Sequence, residues 1–517
     1  MQIIEDRILL RTRHPEKVVD KIPQSSVVDI KDDIYTICVD WNLPTAQKLA
    51  GLKMKGVPSP ITYEYAWAGV SPPMDHQKTT AEFLTLNPRA FCFNEQGTGK
   101  TAAAIWASDY LLAKKHITRI LVVCPLSTMQ SAWQADLFKF AVHRHVGIAY
   151  GPREKREKII NNTEYEYIII NYDGIEVVKD TIASNDFDLI IIDEANAYKT
   201  STTKRWKTMS KLIGPSTWVW MLTGSPAAQS PVDAHGLAKL CVPDNVTRSL
   251  TTFRNLVMYP ISRFKWVPKP DALDTVFKTL QPAIRFTKEE CLDLPAITYV
   301  DREAPLTLQQ EHYYKILRTK FLMQAGEEQV TSANVAVNMS KLLQVSGGAV
   351  YSNTGNTIEF DVSNRLKVIK EVIDEAIAKV IIFVPFRHTI KLLHEYLLDK
   401  NIPTECITGD TTLNQRTDLF KRFQELDDIK VFIIQPQAAA HGVTLTAAST
   451  IIWYAPVTST EIYLQANARI NRRGQKNVMT VVNIQGSAVE RRLYSLLSGR
   501  LDAHVRLLDL YNETISE

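Results

Sequence analysis

From residue 74 onward, short runs of branched apolar residues alternate with longer stretches whose apolar positions recur every three or four residues. The runs at 120–123, 167–170, 189–192 and 218–222 are continuous rather than alternating. That pattern predicts strands buried on both faces, as in a parallel sheet covered by helices on each side. A second series follows at 380–384, 405–407, 431–434, 450–453 and 479–484, and helical periodicity fills 309–324 and 332–345 between the two. The expected fold class is α/β, with two parallel-sheet lobes in tandem and helical inserts; ligand sites are expected at strand carboxyl ends. Residues 1–70 read differently. Strand-like patches at 3–13 and 33–41 and a short helix at 44–51 suggest a small α+β unit. Pro58, Pro60, Pro72 and Pro73 then suggest a linker. The expected domains are therefore 1–70, a first lobe over 71–300, and a second over 301–517 with a helical insert at 305–346.

Composition narrows this only a little. A chain of 517 residues exceeds one core. Its 45% hydrophobic and 22% charged content is ordinary for a globular protein. A net charge of +4 neither demands nor excludes nucleic acid, because a basic groove can hide in a balanced total. Cys38, Cys92, Cys124, Cys241, Cys291 and Cys406 are scattered with no CxxC pair, which predicts reduced thiols and no zinc site. No apolar run approaches a membrane span, and the charged start (Glu5, Asp6, Arg7) is no signal peptide. The expected location is the cytoplasm of a prokaryotic or phage-infected cell, or a nucleus.

The chemistry is concentrated in the stretch FCFNEQGTGKTAAAIW at 91–106, where an apolar run meets a Gly-rich turn and then helix-favouring sequence. This is the strand–loop–helix context of a phosphate-binding loop. Backbone N–H groups of Gln96, Gly97, Thr98 and Gly99 would curl around phosphate oxygens at a positive helix end. Lys100 would reach the β- and γ-phosphates of ATP, and the Thr101 hydroxyl would ligate Mg²⁺. Residue 94 is Asn where the simple motif has its first glycine. The run at 189–192 ends in Asp193-Glu194. Asp193 would hold Mg²⁺ through water, and Glu194 would orient and deprotonate the attacking water. An Asp-Glu pair after a strand is common by chance, and its pairing with the upstream loop selects the functional reading. A third element, LQANARINRRGQ at 464–475, sets Arg469 and Arg472 three apart. On a helix they would share a face, as a pair of planar donors suited to a γ-phosphate.

Together these stretches resemble helicase superfamily two, and within it the Swi/Snf-type ATPases, over about residues 74–511. NEQGTGKT stands where that family has DEMGLGKT. Gln77 in MDHQ matches its adenine-reading glutamine. ILVVCPLSTMQSAW matches the segment touching the DNA backbone, which points to Pro125, Ser127 and Trp133. LTGSP matches the LTGTP motif that couples hydrolysis to lobe movement. LQPAIRFTKEECLDLP resembles RRTKxDVxxxLP, which generic helicases lack. Thr408 and Gly409 fall where the second lobe grips DNA phosphate. QANARINRRGQ resembles QAxxRxHRxGQ, adding Gln465 to the catalytic candidates, and SAVERRLYSLL resembles the helix after it. Three departures stand out: Asn196 replaces the His of the Asp-Glu box, Ala440-His441-Gly442 replaces Ala-Gly-Gly, and Thr458-Ser459-Thr460 replaces Trp-Asn-Pro. They bring the chain nearer to annealing helicases and phage fork-remodelling helicases, whose substrate-recognition modules residues 1–70 faintly resemble.

The resemblance implies two RecA-like lobes, ATP and Mg²⁺ as cofactors, Gly442 at the nucleotide, and a DNA-dependent ATPase. It implies a monomeric translocase on double-stranded or branched DNA, remodelling forks, junctions or bound proteins, with replication or recombination proteins as partners and no membrane. The alternatives are a strand-separating DNA or RNA helicase and an ATP-gated clamp. Lys199, with Lys204, Arg205 and Lys207 around Trp206, is expected to face DNA phosphates.

Overall fold

The continuous apolar runs form the central strands of two fully parallel sheets. The computed structural model describes residues 1–4, 6–52, 54, 56–224, 230–261, 266–291, 294–327, 332–351, 357–439 and 443–499. Contacts divide the chain into two units, Met1–Cys291 and Leu292–Glu517.

The first unit opens with four antiparallel strands: β1 (Gln2–Ile4), β2 (Arg7–Thr12), β3 (Ser26–Lys31) and β4 (Ile34–Asp40), in spatial order β1-β2-β4-β3. Alternation along β2 and β4 turns Ile8, Leu10, Ile37 and Val39 inward. There they meet Val18 of helix α1 (Pro15–Val19) and Leu49 of α2 (Leu43–Gly51). The α2 start is capped by Asn42, whose Oδ1 accepts the Thr45 N–H at 3.0 Å. Every residue of β3 is exposed, so no apolar period marked it in the sequence.

The proline-punctuated stretch after α2 is not the expected linker. Helix α3 (Ile61–Glu64) and the residues around it are bound to the large sheet's helices. Ser59 bonds Thr85 at 2.7 Å, and the Trp106 indole donates to the Ala68 carbonyl at 2.7 Å. The Tyr65 hydroxyl donates to the buried carboxylate of Asp109, which also takes Arg144 Nε at 2.5 Å. Burial and the neighbouring Asp109 charge push the Tyr65 phenol far up. Aromatic residues, invisible to a reading based on proline spacing, make this segment part of the core.

Beyond α4 (Asp75–Leu86) lie β5 (Arg89–Cys92), helix α5 (Lys100–Ala113), β6 (Ile120–Cys124), β7 (Val146–Ile148), β8 (Tyr167–Asn171), β9 (Leu189–Asp193) and β10 (Trp218–Leu222). A hairpin of β11 (Met258–Pro260) and β12 (Trp266–Pro268) and the short β13 (Ala283–Ile284) complete the unit. The parallel order is β13-β5-β10-β9-β6-β8-β7, with one apolar core on each face. Register decides what this sheet can do. Leu222 lies abreast of Cys92 on one side and Asp193 on the other, so three strands end side by side.

In the second unit, β14 (Ile297–Glu303), β17 (Lys379–Phe383), β18 (Thr404–Ile407), β19 (Val431–Ile434), β20 (Ala448–Trp453) and β21 (Met479–Gln485) form a parallel sheet. Its order is β14-β21-β20-β17-β19-β18; a hairpin of β15 (Ala349–Tyr351) and β16 (Thr357–Glu359) stands apart. β14 pairs with β21 over its whole length, so a domain boundary at 300 cuts through a strand of this sheet. The two predicted insert helices are Leu308–Glu327 and Ser332–Ser346. They share a core with the helix Ala488–Leu497 through Tyr314, Met339, Leu342, Val489 and Leu493. Beneath it, Arg365 meets Glu490 at 2.8 Å in a pair with no more than 3% side-chain exposure.

Candidate nucleotide site and the family it identifies

The phosphate loop leaves β5 at Cys92 and closes on α5. Gly97 (φ 89°) and Gly99 (φ 85°) occupy left-handed backbone conformations that glycine adopts without strain. A Cβ on Gly99 would lie 2.0 Å from Gln77 Nε2. That contact shows how the loop is held from outside. Gln77 Nε2 donates to the Thr98 carbonyl at 3.1 Å, and His76 Nε2 lies 2.8 Å from the same oxygen. Gln77 Oε1 meanwhile accepts the Met74 N–H at 3.0 Å, fixing the start of α4. Lys100 Nζ donates to the Asn94 carbonyl at 2.7 Å, so the ammonium already sits over the loop.

Asn94 now has a physical reason. Its buried side chain donates to Thr80 Oγ1 at 2.8 Å and accepts the Phe286 N–H at 3.0 Å, bonds a glycine could not make. His76 and Asn94 were missed as site residues; the adjacency of His76 to Gln77 was the one available signal.

The Asp-Glu pair stands at the end of β9, two strands from the loop. The Asp193 carboxylate accepts the Trp133 indole N–H on Oδ2 at 2.9 Å and the Glu194 N–H on Oδ1 at 3.0 Å. Desolvation raises its pKa, and the Trp133 bond, the Lys100 charge and the Glu194 N–H work against that shift. Glu194 has φ 47° and ψ 56°, left-handed for a residue with a Cβ. Such strain clusters at functional sites. The Tyr172 hydroxyl anchors the turn by donating to the Asp193 carbonyl at 2.6 Å. Gln96, where the resemblance has Met, donates its amide to Glu194 Oε1 at 3.4 Å.

Mg²⁺ keeps several waters and binds through one or two protein groups plus substrate phosphates. Asp193, raised in pKa yet close enough to Lys100 to feel its charge, together with the half-buried Thr101 at the head of α5, is a donor set of that kind.

In the second unit the structure corrects the arginine placement. The helix ends at Asn467, and Arg469 and Arg472 lie in the turn beyond it rather than along a helical face. Arg469 is 1% exposed. Its Nη1 donates to the Val443 carbonyl at 3.4 Å, while Arg472 Nη1 donates to Thr444 Oγ1 at 3.0 Å. Both therefore hold the stretch entering β20. Gln465 is buried and bonds Glu461 at 3.2 Å. The Thr408 N–H donates to Thr411 Oγ1 at 3.0 Å, and the Gly409 N–H to Gln435 Oε1 at 2.9 Å. Gly442 lies outside the described residues, as do Ser225 and Pro226 of the LTGSP stretch.

Of the expected DNA contacts, Trp133 is a correction: it is 0% exposed and its one polar atom is committed to Asp193. Pro125 is buried as well, and Ser127 is half-exposed. Lys199 lies 3.5 Å from Asp233, Lys204 lies 3.3 Å from Glu176, and Arg205 lies 2.6 Å from Asp173, which offsets much of the expected positive charge. Lys207 is exposed. Among the described residues no His, Cys, Asp and Glu group could hold a metal by itself, and all six cysteines are free, four of them buried.

Comparison with known proteins fits this geometry. The SNF2-related domain matches residues 76–347, more than half of the chain, and the helicase conserved C-terminal domain matches 364–474. The chain belongs to the SNF2-related family. The two matched domains place it in helicase superfamily two. It is 25% identical over 443 residues to nuclear protein STH1/NPS1 of Saccharomyces cerevisiae, covering 79% of this chain and 32% of that protein. It is 23% identical over 397 residues to the uncharacterized ATP-dependent helicase MG018 of Mycoplasma genitalium, covering 76% and 37%. The SNF2-related chain thus spans about a third of the length of these curated relatives. Among solved structures, the SWI2/SNF2 ATPase core of Sulfolobus solfataricus in complex with dsDNA shares 21% identity at a TM-score of 0.42, covering 87% of this chain and 96% of that one. No helix among the described residues is long and apolar enough to cross a membrane.

Proposed function

We propose that the chain is an ATP-driven translocase on double-stranded DNA that remodels branched structures such as forks and crossovers. The observation that supports the hydrolytic half is the register that ends β5, β10 and β9 together, with Lys100 close enough for its charge to act on Asp193. Lys100 neutralises charge on the β- and γ-phosphates, and the loop N–H groups and the head of α5 hold their oxygens. Asp193 and Thr101 would hold Mg²⁺, which would neutralise charge developing on the phosphates. Glu194 orients water and takes its proton. Arg472 would supply positive charge to the γ-phosphate, and the buried Arg469, bonded to the Val443 carbonyl, holds the turn that carries it. Gln77 reads adenine, and its bond to Thr98 ties that reading to the loop.

Duplex rather than single-stranded tracking is supported by family membership and by the 285–295 stretch, which generic helicases lack. Tracking along a duplex draws in one arm of a branch point, whose strands re-pair elsewhere. Re-pairing nearly balances melting, so such a motor needs no wedge. Its partners on this reading are branched DNA and replication or recombination proteins, in a reducing compartment.

The test is ATP turnover with duplex DNA, single-stranded DNA and RNA side by side, followed by branch migration and triplex displacement. Stimulation by duplex together with branch movement supports the reading. Stimulation by RNA alone, or strand separation of a plain duplex, turns it to the helicase alternative. Weak turnover without movement indicates a clamp.

A further inference from the structure

We infer that Trp133 is a positioning residue that couples the solvent-facing Leu126, Gln130 and Ser131 of the turn after β6 to the metal-holding carboxylate of Asp193; this rests on the ATPase reading above. β6 and β9 are neighbours in the sheet, with Val123 abreast of Ile192. The chain leaving β6 therefore starts out beside Asp193. It then runs through the π-helical turn Met129–Gln134, a form rare in proteins and frequent at functional sites. That turn swings Trp133 back over the end of β9. Its ring is wholly buried beside Met129 and Leu137 in the apolar core under the sheet. Its single polar hydrogen reaches Asp193 Oδ2 at 2.9 Å.

The chemistry of the carboxylate makes this bond matter. Oδ1 takes the Glu194 N–H and Oδ2 takes the indole N–H, so two fixed donors set the carboxylate plane. Each oxygen keeps a second lone pair for a metal-bound water. An indole donates and cannot accept, so it orients the charged carboxylate without competing for the metal. Groups that orient a metal ligand in this way commonly matter about 10–100-fold in affinity or activity.

The other side of the same turn faces solvent. Leu126, Gln130 and Ser131 are exposed, and the Ser127 carbonyl accepts the Ser131 hydroxyl at 2.6 Å. A polymer seated on this face would press on a turn whose buried end is a bond to Asp193. Because the ring is packed on all sides, the turn cannot shift without moving its N–H.

The test uses the full chain with Trp133→Phe, which keeps an aromatic ring and removes the donor. Mn²⁺ binding is followed by electron paramagnetic resonance with a non-hydrolysable ATP analogue, with and without a duplex oligonucleotide. The expected result is Mn²⁺ affinity weaker by roughly tenfold or more in the variant, with loss of any tightening that duplex DNA causes in the wild type. Mn²⁺ affinity within about twofold of wild type, in a variant that melts normally, overturns the inference, because a merely packed ring makes no metal-dependent difference. If the variant fails to fold, the wild type labelled with ¹⁵N-tryptophan decides. One of its indole N–H signals is broadened selectively by Mn²⁺–nucleotide, and the absence of such a signal overturns the inference. A wild type that binds neither Mn²⁺–nucleotide nor duplex defeats the ATPase reading instead, which separates the two failures.

Discussion

Removing the Glu490 carboxylate tests how the second lobe is held together. Glu490 is wholly buried on the helix Ala488–Leu497, and both its oxygens receive Arg365 Nη2, at 2.8 and 2.9 Å. It also accepts the Gly486 N–H at 2.9 Å and the Ser487 N–H at 3.1 Å, capping its own helix. Desolvation works against the Arg365 charge, and the Glu490 field overrides it, so the guanidinium pKa is raised. Glu490→Ala leaves that guanidinium buried with little beyond the Tyr454 carbonyl for company. Orphaning one member of a buried pair costs about 3–5 kcal/mol. In a unit of this size each kcal/mol lowers the melting temperature by roughly 2–4 °C, so a drop of about ten degrees is expected. Replacing the pair together, as Arg365→Met with Glu490→Leu, should recover part of the loss, because two desolvation costs vanish with the pair while the Gly486 and Ser487 N–H groups still lose their acceptor. The assay is calorimetry of the full chain, resolving the transition of the second unit from that of the first. A loss under about 1 kcal/mol for Glu490→Ala, the range of an exposed pair, refutes the reasoning. So does a double variant no more stable than the single one.

Three further outcomes are expected from the site and the N-terminal packing. Lys100→Ala abolishes hydrolysis, whereas Glu194→Gln is equally inactive but still binds ATP in an equilibrium assay, since the metal and phosphate contacts survive; near-wild-type turnover in Glu194→Gln would falsify the water-activating role. Arg472→Ala lowers turnover by about 10³–10⁵ with a much smaller change in ATP affinity, measured by single-turnover hydrolysis alongside nucleotide binding. Deleting residues 1–41 removes the N-terminal sheet and α1, keeps the Asn42 cap and leaves a folded ATPase, while deleting residues 1–70 also strips α2, α3, Tyr65 and Trp67 from the first lobe's core and yields insoluble protein; equal solubility of the two would contradict this packing.

How much the sequence disclosed depends on where physics leaves a local trace. A strand buried on both faces must be apolar throughout, so 120–123, 189–192 and 431–434 could be found within a residue of their ends. The phosphate loop was equally plain, because its glycines and lysine serve chemistry that needs them in that order. Strands fixed mainly by a partner left no such trace. β3 is exposed along its length, β13 has two residues, and β14 runs from Ile297-Thr298-Tyr299-Val300 into three charged residues at a sheet edge. The arginines were placed on a helix because their spacing fits one; the helix ends before them, and Arg469 turns inward to the Val443 carbonyl. Trp133 was placed at the DNA because its segment resembles one that lies there. Only three-dimensional register shows its indole aimed at Asp193.

The phosphate loop's departures from its simplest motif turn out to be its anchors. Asn94 gives up the freedom of glycine and gains bonds to Thr80 and Phe286. Glu95 extends the connection: its N–H donates to the Phe286 carbonyl at 2.9 Å, and its carboxylate accepts the Lys288 N–H at 3.2 Å. The residues so bound, 286–288, belong to the stretch through which the chain leaves the first unit at Cys291. A loop that opens to wrap phosphate must therefore either carry this segment with it or break the bonds at Asn94 and Glu95. A glycine at 94 would remove the side-chain ties to Thr80 and Phe286 and leave only those of Glu95. The side chains at 94 and 95 make the state of the loop and the position of the exit segment one variable.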